Sequence, residues 1–122
     1  MKTLLRGFTV SLFLLALTSC RSNPSFNFGA YSEAEKFYEK REYGKAIAKY
    51  EAYVRENPEG NLAVISYYYM AKSYEGVGNV DKAKELYEKI TQEHPRLVWA
   101  NFARARLQEL RGEAAPGPQT PS

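Results

Sequence analysis

Residues 34–58 read AEKFYEKREYGKAIAKYEAYVRENP, and residues 71–95 read AKSYEGVGNVDKAKELYEKITQEHP. Laid over one another, they agree in side-chain class at six places: Ala34 with Ala71, Phe37 with Tyr74, Ala46 with Ala83, Tyr50 with Tyr87, Tyr53 with Ile90, and Pro58 with Pro95. The offset is 37 residues each time, so the chain carries an internal repeat. Turn residues in the surrounding body fall at Gly44, Asn57 to Gly60, Gly76 to Asn79, and His94-Pro95. Nothing between them alternates apolar and polar long enough to make a half-buried strand. The turns cut residues 30–111 into five helical segments, about 30–42, 44–56, 62–75, 80–93 and 97–110. Short connections predict that consecutive helices pack antiparallel. Asn79 is placed to cap the fourth helix, with Asp81 in its first turn against the positive dipole end. Pro58 and Pro95 follow helices they cannot continue. Gly112 stands where a left-handed terminating residue is favoured. The first helix starts at Asn27 or at Ser32, which has capping-box spacing to Glu35.

The repeat resembles the tetratricopeptide repeat, a helix-turn-helix unit normally of 34 residues. The resemblance implies an all-α array of two repeats plus a C-terminal capping helix. In that family the two small residues let helices A and B approach closely, aromatics fill the space around them, and Pro ends helix B. Ala34 is then expected to face Ala46, and Ala71 to face Ala83. Tyr43 and Val80 sit where the family has a bulky residue entering helix B. The first unit departs from the pattern, with Glu33 in a place usually taken by Leu and Arg41 in one usually taken by Gly. Trp99, Phe102 and Ala103 match Tyr67, Met70 and Ala71, so the fifth helix reads as the start of a third unit that covers the second. Repeat length and clustered aromatics look like those of envelope tetratricopeptide lipoproteins. Two such groups are the lipoprotein of the outer-membrane β-barrel assembly machinery and the Tol-Pal-associated periplasmic coordinator.

Outside the repeat, residues 1–19 read as a lipoprotein signal peptide. Lys2 and Arg6 begin it, and an apolar run from Gly7 to Leu17 follows, too short for a membrane span. Leu17-Thr18-Ser19-Cys20 resembles a bacterial lipobox, which implies that Cys20 becomes the first mature residue and carries diacylglycerol and an acyl chain. Arg21 stands where an Asp favours inner-membrane retention in such lipoproteins. The expected location is therefore the periplasmic side of the outer membrane, or the outer face of the plasma membrane in a single-membrane cell. Residues 20–29 form the lipidated Cys and a spacer in which Phe26 and Phe28 are apolar enough to dock on the first helix. Residues 112–122 hold three Pro and two Gly with no large apolar side chain, and are expected to be a disordered tail.

Composition narrows the chemistry. The 122 residues contain ten Tyr but one Cys and one His, which cannot make a structural zinc site or an internal disulfide. A net charge of +3, with Lys2 and Arg6 in the segment expected to be removed, does not suggest nucleic-acid binding. His94 lies beside Pro95 in a turn, with no nucleophile or orienting carboxylate, and reads as a surface residue. Glu33, Glu35, Glu39 and Glu42 alternate with Lys36 and Lys40 as solvated helix pairs. Gly76-Val77-Gly78 lacks the preceding strand of a phosphate loop. No enzymatic activity, metal or cofactor is expected.

Function then rests on surfaces. Tetratricopeptide arrays bind extended peptides or helices along a concave face lined by A helices. The resemblance puts Phe28, Tyr31, Glu35, Tyr38 and Glu39 there from the first unit, Ile65, Tyr68, Lys72 and Glu75 from the second, and Ala100, Arg104 and Gln108 from the cap. Tyr67, Tyr68 and Tyr69 cannot all face one way, since consecutive helical side chains diverge by about 100°. Tyr68 is expected toward the groove, Tyr67 between helices, and Tyr69 either at the groove's edge or toward the preceding helix B. Tyr31 and Glu35 replace the Lys and Asn of the family's carboxylate clamp. A groove graded from acidic to basic would suit a partner carrying apolar and basic groups. The expected function is a membrane-anchored scaffold or adaptor that assembles or positions a bacterial cell-envelope complex through a protein or peptide partner. The alternative is a structural subunit that forms a homo-oligomer through the groove.

Overall fold

In the computed structural model, which describes residues 28–112, the repeated stretches form helix pairs. The helices are α1 (Phe28–Glu39), α2 (Tyr43–Glu56), α3 (Asn61–Gly76), α4 (Val80–Glu93) and α5 (Val98–Arg111). Each packs mainly on its sequence neighbours, with lighter contacts from α1 to α3 and from α3 to α5. Among the described residues the fold is therefore an all-α array, with odd helices in one layer and even helices in the other. The expectations for the leader at 1–19, Cys20, the spacer with Phe26, and the tail beyond Gly112 lie outside the described residues, as does the side chain of Phe28. No described helix is long and apolar enough to cross a membrane.

The A-to-B turn has the same construction in both units. Arg41 N–H donates to Tyr38 O at 2.9 Å and Glu42 N–H to Phe37 O at 2.9 Å; 37 residues on, Gly78 N–H donates to Glu75 O at 3.0 Å and Asn79 N–H to Tyr74 O at 2.8 Å. This crossed pair of bonds ends a helix only if the residue after its C-cap is left-handed. Gly78 takes φ 82° and Arg41 takes φ 60°. The turn thus requires at Arg41 the conformation that glycine supplies freely, and it ends α1 three residues earlier than the sequence spacing predicts. Ser32 lies inside α1 and caps nothing. Asn79 does cap α4, its side chain accepting from Lys82 N–H at 3.2 Å. Gly112 closes α5 at φ 74°.

The small residues are fully buried: Ala34 and Ala46 between α1 and α2, Ala71 and Ala83 between α3 and α4. Tyr50, Tyr87 and Ile90 are equally inaccessible beside them. One further close approach is at Gly76, where a Cβ would strike the ring of Tyr43 at the start of α2.

The fifth helix follows a different register from the one its sequence suggests. Helix α3 buries two stripes: Ala63, Ser66, Met70 and Ser73 on the side where Tyr69 meets Tyr50 of α2, and Val64 and Ala71 on the side where Tyr68 meets Tyr87 of α4. Helix α5 buries only Ala100, Ala103 and Leu107, which sit 37 residues after Ala63, Ser66 and Met70. Ala103 therefore corresponds to Ser66, packed on the preceding helix, and not to Ala71. The second stripe is missing because no following described helix covers it. In this register Arg104 and Gln108 fall on that uncovered side rather than on the face shared by α1 and α3.

Candidate functional site

The ten tyrosines explain much of the face carried by α1, α3 and α5. Tyr31 meets Tyr53 at 5.5 Å and Tyr50 at 6.1 Å between ring centroids, and Tyr50 stacks on Tyr69 at 6.4 Å. Tyr69 touches Tyr38 at 5.1 Å and Tyr68 at 5.6 Å; Tyr68 touches Trp99 at 5.1 Å, and Trp99 touches Phe102 at 5.5 Å. The rings form one unbroken row from Tyr53 on α2 to Phe102 on α5. Most contacts are edge-on or tilted, the arrangement in which each pair adds about 0.5–1.5 kcal/mol beyond burial. For that reason Tyr31, Tyr38 and Tyr68 are half-buried instead of open. Phe102 is the ring that remains accessible, at 48%.

The three consecutive tyrosines separate as helical geometry requires. Tyr67 turns to α4, where the Lys89 ammonium lies 5.2 Å over its ring. Tyr68 leans on Tyr87, Trp99 and Phe102. Tyr69 faces the preceding helix pair through Tyr38 and Tyr50.

Charge is distributed unevenly along the row. Glu75 accepts from the Tyr87 hydroxyl at 2.5 Å and is clasped by Nε and Nη2 of the Arg106 guanidinium. Burial alone would raise the Glu75 carboxyl, but the hydrogen bonds from Arg106 and Tyr87 outweigh it and hold the group below its ordinary value. Arg106 also pairs with Glu109. Burial first, then Glu35 beside it, pushes the Tyr31 phenol well above its usual range. Glu35 and Glu39 are exposed and form no salt bridge among the described residues. Lys72 is half-buried one turn before Glu75. Arg104, expected to be the basic end, instead binds Asn101 Oδ1 at 2.5 Å and Pro95 O at 3.1 Å, and Gln108 is half-buried beyond it. The residue missed by sequence reasoning is Arg106, which the 37-residue offset carried through α5 would have placed opposite Glu75.

Two of the cavities among the described residues bear on these surfaces. One of about 410 Å³ lies at the loop end, between Gly60, Asn61 and the His94–Leu97 connection. The other, of about 190 Å³, lies on the aromatic face and is lined by Glu35, Tyr38, Glu39, Tyr50 and Tyr69.

Residues 66–96 match the family model described as tetratricopeptide repeat. No curated protein and no solved structure matches the chain. The matched stretch runs from within α3 through α4 to Arg96, so it is the second of the two helix pairs that is similar to a tetratricopeptide repeat, and repeats of this type are protein–protein interaction modules.

Proposed function

We propose that this protein is a membrane-anchored scaffold or adaptor that holds a protein partner during assembly or positioning of a bacterial cell-envelope complex. The observation that carries the reading is the continuous aromatic row, open at Phe102 and bordered by the exposed carboxylates of Glu35 and Glu39, which form no salt bridge among the described residues. Rigid rings with a polar tip bind with little loss of side-chain freedom, and such surfaces suit extended peptides or helices. The anchor in this reading is Cys20, lipidated after removal of residues 1–19, with the repeat body on the periplasmic side of the outer membrane. Two or more acyl chains make that attachment effectively permanent. No catalysis, metal or cofactor enters the reading.

The test is recovery of partners from native membranes with tagged full-length protein and its variants. Phe102→Ser changes an exposed ring on the odd-helix face and is expected to reduce recovery of a specific partner at least about fivefold while helicity is retained. Undiminished recovery contradicts the reading. A stable homo-oligomer with no other associated protein points to the self-assembling subunit instead. Separately, Cys20→Ala is expected to leave an uncleaved precursor that takes up no labelled fatty acid; a lipidated variant would refute the anchor.

A further inference from the structure

The two repeats differ at one buried hydroxyl. Tyr50 and Tyr87 occupy the same place, 37 residues apart, and both are fully buried. The Tyr87 hydroxyl donates to Glu75, which in turn holds Arg106. Counting back 37 residues from Glu75 and Arg106 reaches Tyr38 and Tyr69. In the first repeat, therefore, neither the carboxylate nor the guanidinium is present at those two places. The Tyr50 hydroxyl is left with no hydrogen-bond partner among the described residues. A buried, unsatisfied hydroxyl forfeits its hydration without return, so it calls for an explanation.

Beside Tyr50 is the 190 Å³ cavity, lined also by Tyr38, Tyr69, Glu35 and Glu39. At about 30 Å³ per water this is room for roughly six heavy atoms, the size of one long side chain. Its walls offer two aromatic faces, two carboxylates without salt bridges among the described residues, and a hydroxyl with free lone pairs. The second repeat shows what such a setting accepts, since there a guanidinium lies between carboxylates, next to a buried tyrosine. The wider face has the same sign: Glu35, Glu39, Glu75 and Glu109 stand against Lys72 and Arg106.

We propose that this cavity is a receptor for a basic side chain, arginine above all, presented by the bound partner. Resting on the reading of the odd-helix face as the partner surface, this gives that partner a stated chemistry. The guanidinium donates to Glu35, Glu39 and the Tyr50 hydroxyl, and its plane lies against Tyr38 or Tyr69. Tyr50 is thus retained at a cost to the free protein and satisfied in the complex.

The test uses the full chain in detergent micelles, with tyrosine ring resonances observed by NMR. Probes are N-acetyl-arginine amide and, as the neutral control, N-acetyl-glutamine amide. Arginine is expected to shift Tyr50 and Tyr69 saturably, and glutamine is not. Glu35→Gln with Glu39→Gln, both exposed and with an amide oxygen still able to accept from the Tyr31 hydroxyl, is expected to weaken arginine binding about tenfold while helicity is retained. Tyr50→Phe is expected to weaken binding while raising the melting temperature, a combination that a merely structural tyrosine would not give. Equal shifts from glutamine, or arginine binding undiminished in the double variant, overturn the proposal. If arginine binds as expected while Phe102→Ser leaves partner recovery intact, the cavity stands and the partner-surface reading fails; the converse pair of results separates them the other way.

Discussion

Single residues in the first repeat depart from what the backbone asks of them, and the second repeat supplies the comparison. Arg41 is held at φ 60° where its counterpart Gly78 has φ 82°. A left-handed non-glycine costs about 1–2 kcal/mol, partly offset by the chain freedom that glycine adds to the unfolded state. Arg41→Gly is therefore expected to stabilise the protein by about 0.5–1 kcal/mol, read as a rise in the denaturant midpoint with an unchanged slope. Gly76 is the opposite case. Alanine is the better helix former by about 1 kcal/mol, but a Cβ there strikes the near atoms of the Tyr43 ring, which Tyr38 supports from 5.7 Å away. Gly76→Ala is expected to lose about 1 kcal/mol net, because overpacking of about 1–3 kcal/mol exceeds the propensity gain. A stabilised Gly76→Ala protein would mean that the ring moves aside freely.

At the scale of elements, the helix pairs depend on small residues at their crossings. Ala46→Phe and Ala83→Phe are each expected to cost about 1–3 kcal/mol or more and to lower the melting temperature by several degrees. The link from α3 to α5 is ionic and depends on pH. Glu75 has a folded-state pKa below its ordinary 4.5, so its contribution is complete above that value and is lost as pH falls through the depressed one. Arg106→Gln leaves burial acting on Glu75 with only the Tyr87 hydrogen bond and the Lys72 charge against it. Its acid unfolding midpoint, followed by circular dichroism, is expected at higher pH than that of the parent; an unmoved midpoint would show that the pair contributes nothing. The helix pairs were readable in the sequence because Ala, Tyr and Pro recur at fixed offsets, and Asn79 and Gly112 end helices through local chemistry. The register of α5 was not. Ala100, Ala103 and Leu107 fit either buried stripe of a helix A, and only contact with α4 decides between them. The cavity was equally hidden. It depends on Tyr38 standing where the second repeat has Glu75, a difference whose meaning appears only once the Tyr87 hydroxyl is seen to need that carboxylate.

At the scale of the whole molecule, aromatic rings knit the odd helices together and leave one side of the array open. The even helices supply the walls of the core, while their outer faces carry ordinary solvated pairs such as Lys82 with Glu85. A partner surface on the odd-helix face therefore makes a directional claim about where contacts form. Site-specific photo-crosslinking tests it most directly, with a benzophenone amino acid introduced in turn at Phe102 and Glu39 on the odd helices and at Ala48 and Glu85 on the even ones. All four positions are exposed, so none should disturb the fold. Crosslinks to the same envelope partner from Phe102 and Glu39, and none from Ala48 or Glu85, are the predicted result. Crosslinks confined to Ala48 and Glu85, or spread evenly over all four, would contradict it.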